Sequence, residues 1–226
     1  MQPEAGAPPG LRRASRGAGH PGQPGRPGRP GRLRIAGLVL AAGQGSRLGR
    51  PKAAVEIGGL TLAQRAVALL RDGGADPVIV ITGAAPVVVP GSVAVHNPDW
   101  PTGMGSSLRA GLAALPPDAD AVVVALVDQP LVSPAAVRRL IAACESGAEL
   151  AVACYAGAQR NPVLIARAHW PGVAAAARGD VGARAYLRAH AGLVTAVECG
   201  DVGRPDDLDT SDDLARIEGL VDSGRG

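Results

Sequence analysis

Phenylalanine is absent from this 226-residue chain, and aromatic residues make up only 2% of it. Hydrophobic residues nevertheless reach 46%, so Val, Leu, Ile and Ala must build the core. That composition suits buried parallel strands under alanine-rich helices. Cysteines are also scarce: Cys144, Cys154 and Cys199 are odd in number, far apart and without C-x-x-C spacing. This argues against a disulfide framework or a zinc site, and a reduced, cytoplasmic setting is expected. No apolar run approaches the roughly 20 residues of a membrane span. The first residues lack the apolar segment of a secretory signal, and no membrane partner is expected.

The formal charge of +3 and the pI of about 9.1 first suggest a nucleic-acid partner. The distribution argues otherwise. Seven of the 23 Lys and Arg residues precede residue 35, where Glu4 is the one acidic residue. That stretch carries six net positive charges, which leaves the rest of the chain near −3. No aromatics interleave with its arginines, so the stacking platform for single strands is missing. Residues 1–33 are dominated by Gly, Pro, Arg and Ala and include Gly25-Arg-Pro-Gly-Arg-Pro-Gly-Arg32. Such a segment buries too little apolar surface to offset its ordering entropy. It reads as a disordered tail ahead of one domain, residues 34–226.

From Leu33 onward, apolar runs alternate with helical patterns. Strands are predicted at Ile35–Ala41, Pro77–Thr82, Ser92–His96, Ala121–Val127, Leu150–Tyr155, Pro162–Ile165 and Val194–Glu198. Helices are predicted at Leu62–Arg71 (stopped by Gly73-Gly74), Ser106–Leu115 (capped by Ser106 or Ser107), Pro134 to about Cys144 (opened by Ser133-Pro134), Gly182–His190 and Ser211–Ile217. This alternation implies a three-layer α/β/α fold with a mostly parallel sheet. Ligands of such sheets gather at the carboxyl ends of the strands, where the two most apolar strands deliver Gly43 and Asp128.

The loop after the first strand is Leu40-Ala-Ala-Gly-Gln-Gly-Ser-Arg-Leu-Gly-Arg-Pro-Lys52. Its glycines let backbone N–H groups approach an anion, and Arg47 and Lys52 add a fork and a point charge for phosphates. It is neither a P-loop nor G-x-G-x-x-G, and a plain strand-to-helix turn with surface cations remains the alternative. In Asn97-Pro-Asp-Trp-Pro-Thr-Gly-Met-Gly-Ser-Ser-Leu108, Ser106 and Ser107 put hydroxyls at a helix start, where they either cap it or meet a base or phosphate. Asp128 ends a buried strand in Val127-Asp-Gln-Pro-Leu131, placed either to hold a cation against phosphate oxygens or to cap a turn. The four histidines are scattered and receive no catalytic role.

The glycine-rich loop, the Asn97 segment, the Asp-Gln-Pro turn, Gly179-Asp-Val-Gly-Ala-Arg184 and Asp206-Asp-Leu-Asp-Thr-Ser-Asp-Asp-Leu214 together resemble the signature blocks of the MobA-like nucleotidyltransferases. Ala42 and Asp-Gln-Pro resemble their molybdenum cofactor cytidylyltransferase branch. The resemblance covers about residues 35–218 and implies a Rossmann-like nucleotidyltransferase fold. It implies that Leu40, Ala41, Ala42, Gly43, Asn97, Ser106 and Ser107 bind the nucleotide. Arg47 and Lys52 would take its phosphates, with Arg47, Lys52 and Asp128 catalytic, and Asp128 and Asp209 would hold Mg²⁺. Thr210 would begin the last helix. Arg160, Asn161, Asp180 and Arg184 would bind a phosphorylated acceptor, although Arg160-Asn161-Pro162 lacks the glycine that precedes this block in the family. The implied reaction transfers CMP from CTP to molybdenum-bearing molybdopterin with release of pyrophosphate, and implies transient contact with a molybdoenzyme. Two other readings stay open: a non-catalytic nucleotide- or cofactor-binding chaperone, and a nicotinamide-dependent oxidoreductase.

Overall fold

The computed structural model describes Met1 and residues 33–223; the predicted tail therefore lies almost wholly outside the described residues. Seven strands form one sheet in the order β5-β4-β1-β6-β8-β7-β9, with β1 Ile35–Leu40, β4 Val78–Thr82, β5 Val93–His96, β6 Ala121–Leu126, β7 Leu150–Tyr155, β8 Ala158–Ala166 and β9 Val194–Glu198. Every pairing is parallel except the two made by β8. A small hairpin, β2 Glu56–Ile57 and β3 Leu60–Thr61, stands apart.

Strands β1, β4 and β7 are buried at every position, the pattern expected of strands covered on both faces. One face packs against α1 Leu62–Asp72, α3 Pro134–Glu145 and α6 Ser211–Ser223 through Leu62, Leu70, Val137, Leu140 and Ile217. The other packs against α2 Met104–Ala113, α4 Trp170–Ala176 and α5 Arg184–Ala189 through Leu108, Leu112, Val173 and Leu187. The fold is thus the predicted three-layer α/β/α sandwich, Rossmann-like and mostly parallel. The chain leaves β1 through α1 to β4 and β5, then crosses back through α2 to β6 on the opposite side of β1. This reversal opens a crevice beyond the carboxyl ends of β1 and β6.

Several boundaries differ from the sequence reading. Helix α2 starts two residues early, at Met104 directly after the turn at Gly103, so neither Ser106 nor Ser107 caps it. Ser133 and Pro134 do open α3, but the Ser133 hydroxyl makes no cap bond and is buried without a partner among the described residues. Strand β8 is longer than predicted because a two-residue turn at Ala156–Gly157 lets it pair at once with β7. The hairpin β2–β3 and helix α4 had no periodic signal long enough to read. Thr210 does cap the last helix: its hydroxyl accepts from Asp213 N–H, and the Asp213 carboxylate accepts from Thr210 N–H. No helix among the described residues is long and apolar enough to cross a membrane.

Leu38, in the middle of β1, is fully buried between β4 and β6. Leu38→Ala is expected to cost about 2–5 kcal/mol, read as a lower midpoint in urea unfolding.

Candidate active site

Beyond the carboxyl ends of β1 and β6 lies a cleft of about 600 Å³. One wall is the glycine-rich loop, which leaves β1 while Leu40 still accepts a hydrogen bond from Val127 N–H at 3.2 Å. The backbone N–H groups of Gly43, Gln44, Gly45, Ser46 and Arg47 find no acceptor among the described residues. Successive donors without an acceptor, next to the left-handed Gly45 (φ 65°), are able to receive an anion. Gln44, Gly45, Ser46 and Arg47 line the cleft with them.

At the end of the loop, Lys52 meets carboxylates from two distant segments. The Lys52 ammonium donates to Asp128 Oδ2 at 2.8 Å and to Asp209 Oδ1 at 2.6 Å. Burial works to lower the pKa of Lys52; the charges and hydrogen bonds of Asp128 and Asp209 outweigh it and hold the group above its ordinary value. An ammonium raised in this way contributes stability that is complete below about 10.5 and fades only as pH climbs through the folded value. Lys52 is therefore a fixed cation at neutral pH. Arg47 is mostly exposed and approaches Asp209 Oδ2 only at 3.4 Å, so it stands at the rim, free to turn toward a ligand.

The carboxylates fit a divalent cation. Asp128 Oδ2 and Asp209 Oδ1 meet at the Lys52 ammonium, and Asp128 Oδ1 is buried with no hydrogen-bond partner among the described residues. Mg²⁺ typically takes one or two protein carboxylates and completes its octahedron with water and substrate phosphate. No group of three or more His, Cys, Asp or Glu among the described residues offers a full cage, so phosphate oxygens would have to supply part of the shell.

The remaining predicted residues divide into lining and support. Leu40, Ala42, Gly43, Ser107 and Asp180 line the cleft. Ala41 faces the core cluster instead. Asn97 is buried and gives its amide hydrogens to the hydroxyls of Ser106 and Ser107 at 2.9 and 3.1 Å, while its oxygen accepts from Asp99 N–H. It therefore orients Ser107 rather than facing the cleft. The Ser106 hydroxyl is spent on the Asp99 and Gly103 carbonyls. Gly103 has φ 107° and lies so close to Gly179 and Asp180 that a side chain would strike them, and Gly105 N–H donates to the Gly179 carbonyl at 2.7 Å. Those contacts bring Asp180 into the cleft. Arg160, Asn161 and Arg184 do not line it. Because β8 runs antiparallel to β6, with Val163 opposite Val124, Arg160 and Asn161 still lie toward the same edge of the sheet.

Trp100 also lines the cleft. Its ring lies against Gly83, where any side chain would collide with the indole and the Ala42 carbonyl. Only the glycine at 83 hinted at this approach, and glycine occurs too often in this chain to single it out.

The MobA-like NTP transferase domain matches residues 37–194. The nicotine blue oxidoreductase of Paenarthrobacter nicotinovorans is 36% identical over 199 residues, 81% of this chain and 96% of that protein. A probable molybdenum cofactor guanylyltransferase of Opitutus terrae is 35% identical over 118 residues, half of this chain and 57% of that protein. The structure of Rv0371c from Mycobacterium tuberculosis in complex with manganese superposes with a TM-score of 0.68 at 30% identity, covering 83% of this chain and 99% of that one.

Replacing Asn97 by Leu strips two buried serine hydroxyls of their donor. The expected loss is about 1–3 kcal/mol of stability, measurable by thermal unfolding, with weaker nucleotide binding because Ser107 is no longer oriented.

Proposed function

The chain belongs to the MobA-like NTP transferase family and is a nucleotidyltransferase, and from that premise we propose that it transfers CMP from CTP to molybdenum-bearing molybdopterin. The observation that carries the reading is the meeting of Lys52, Asp128 and Asp209 beside a row of free backbone donors. A triphosphate lying along Gly43–Arg47 receives those N–H groups, with Lys52 and Arg47 neutralising its charge. The base lies toward Leu40, Ala42 and Ser107, and the acceptor enters past Asp180, from the side of Arg160, Asn161 and Arg184. A phosphate oxygen of the acceptor attacks the α-phosphorus; the bond to the β-phosphate oxygen breaks and pyrophosphate leaves. The acceptor is already an anionic nucleophile, so no general base is required. Catalysis is alignment and charge neutralisation. Mg²⁺ held by Asp128 and Asp209 would supply further neutralisation of phosphate charge and help to align the reacting groups.

Three observations support the finer points. Ala42 and Asp-Gln-Pro favour CTP as donor. The similarity to a molybdenum cofactor guanylyltransferase favours the acceptor, and the manganese complex of a related protein favours a divalent metal. A cytoplasmic setting and brief contact with a molybdoenzyme belong to the same proposal. Residues 1–33 remain proposed as a tail to the domain 34–226. A second reading, a nicotinamide-dependent oxidoreductase, is favoured by the name of the relative that is 36% identical across most of the chain. The irregular glycine spacing weighs against it.

Pyrophosphate release assayed over the four NTPs with molybdenum-molybdopterin distinguishes them. Release with CTP supports the proposal; silence with every NTP, together with NADH or NADPH consumption, would favour the oxidoreductase. Asp128→Ala should abolish turnover while circular dichroism stays that of the parent. Pyrophosphate release from that variant at the parent's rate would overturn the metal assignment. Lys52→Ala should raise KM for CTP and lower kcat by about 100- to 1000-fold, the range for losing a positioned electrostatic donor.

A further inference from the structure

Lys52 is the only side chain among the described residues that joins Asp128 directly to Asp209. In the proposed reaction Lys52 also serves the triphosphate, so the spacing of the two carboxylates needs another source of support. The segment carrying Asp209 runs antiparallel beside the end of β6: Leu208 N–H donates to the Asp128 carbonyl at 2.8 Å, and Arg204 N–H to the Leu131 carbonyl at 3.1 Å. Leu208 itself is fully buried. Between these backbone ties sits one side-chain tie. Gln129, only 6% exposed, donates its amide to Asp207 Oδ1 at 2.8 Å across 78 positions of chain.

We propose that Gln129 is a positioning residue, whose amide acts through Asp207 to hold Asp209 at the spacing from Asp128 that a divalent cation requires. The inference rests on the proposed nucleotidyl transfer for its purpose. Its geometry stands apart from that reading. Chemistry explains why an amide occupies the position. A donor at 129 stabilises a third carboxylate beside two others; a glutamate there would add a fourth negative charge and no donor. A leucine would leave Asp207 without its partner.

The test compares the parent with Gln129→Leu, Gln129→Glu and the exchange Gln129→Glu/Asp207→Asn, which places the amide on the other side of the same contact. Three quantities are read: Mn²⁺ affinity by electron paramagnetic resonance with an unreactive CTP analogue present, backbone hydrogen exchange at Leu208, and kcat and KM for pyrophosphate release. Both single variants should exchange Leu208 faster, bind Mn²⁺ about tenfold more weakly, as loss of outer supporting contacts does, and lose kcat more than they raise the acceptor's KM. The exchanged pair should recover most of the Mn²⁺ affinity. Unchanged exchange and Mn²⁺ affinity in both single variants would overturn the proposal, as would a double variant no better than Gln129→Glu. Should Gln129→Glu fail to fold, Gln129→Leu decides by the same exchange and Mn²⁺ readings. Absence of pyrophosphate from the parent would count against the reaction alone, because exchange at Leu208 needs neither substrate nor metal.

Discussion

Two carboxylates and one ammonium must share a few ångströms of space beside the glycine-rich loop, and much of the architecture serves that demand. Lys52 lies on the loop that follows β1, Asp128 at the end of β6, and Asp209 on the segment that leads into α6. Adjacent parallel strands are what bring the first two together, since β1 and β6 pair in register from Ile35–Ala121 to Leu40–Leu126 and so end at one edge. The third arrives because Leu208 is drawn into the core and its backbone ties to Asp128.

The charge balance of the cleft follows from the same arrangement. Asp128, Asp180 and Asp209 face it with only Lys52 and Arg47 to oppose them. Such a cleft is a poor host for a polyanion by itself. A divalent cation held by the carboxylates, as proposed, would relieve Lys52 of their exclusive company and offset their charge. The cleft is polar along the loop, whose N–H groups have no acceptor among the described residues, and apolar at Leu40, Ala42 and Leu126.

Sequence patterns carried the fold well because the core strands are continuous apolar runs bounded by glycine, proline or aspartate. Leu150–Tyr155 and Val194–Glu198 coincide with their predicted limits. The errors fell where local chemistry has two outlets. Ser106 and Ser107 carry the residue type of helix caps, yet Asn97 and nearby carbonyls compete for their hydroxyls, and the helix begins earlier, after Gly103. The family resemblance alone pointed to Asn97, whose buried amide is turned to those serines. Arg160, Asn161 and Arg184 share a sheet edge or a neighbouring helix with the cleft without lining it.

Sequence by itself determined the layer architecture and supplied the candidates for a site, a glycine-rich loop with two cations and two distant aspartates, since these depend on local periodicity, backbone freedom and side-chain chemistry. Tertiary structure alone decided which of those residues meet. Convergence across 76 and 157 positions of chain is set by strand order and by the burial of Leu208. Neither has a local signature. The tie between Gln129 and Asp207 shows the same limit: each residue sits in plain view beside a predicted ligand, and only packing puts an amide against a carboxylate.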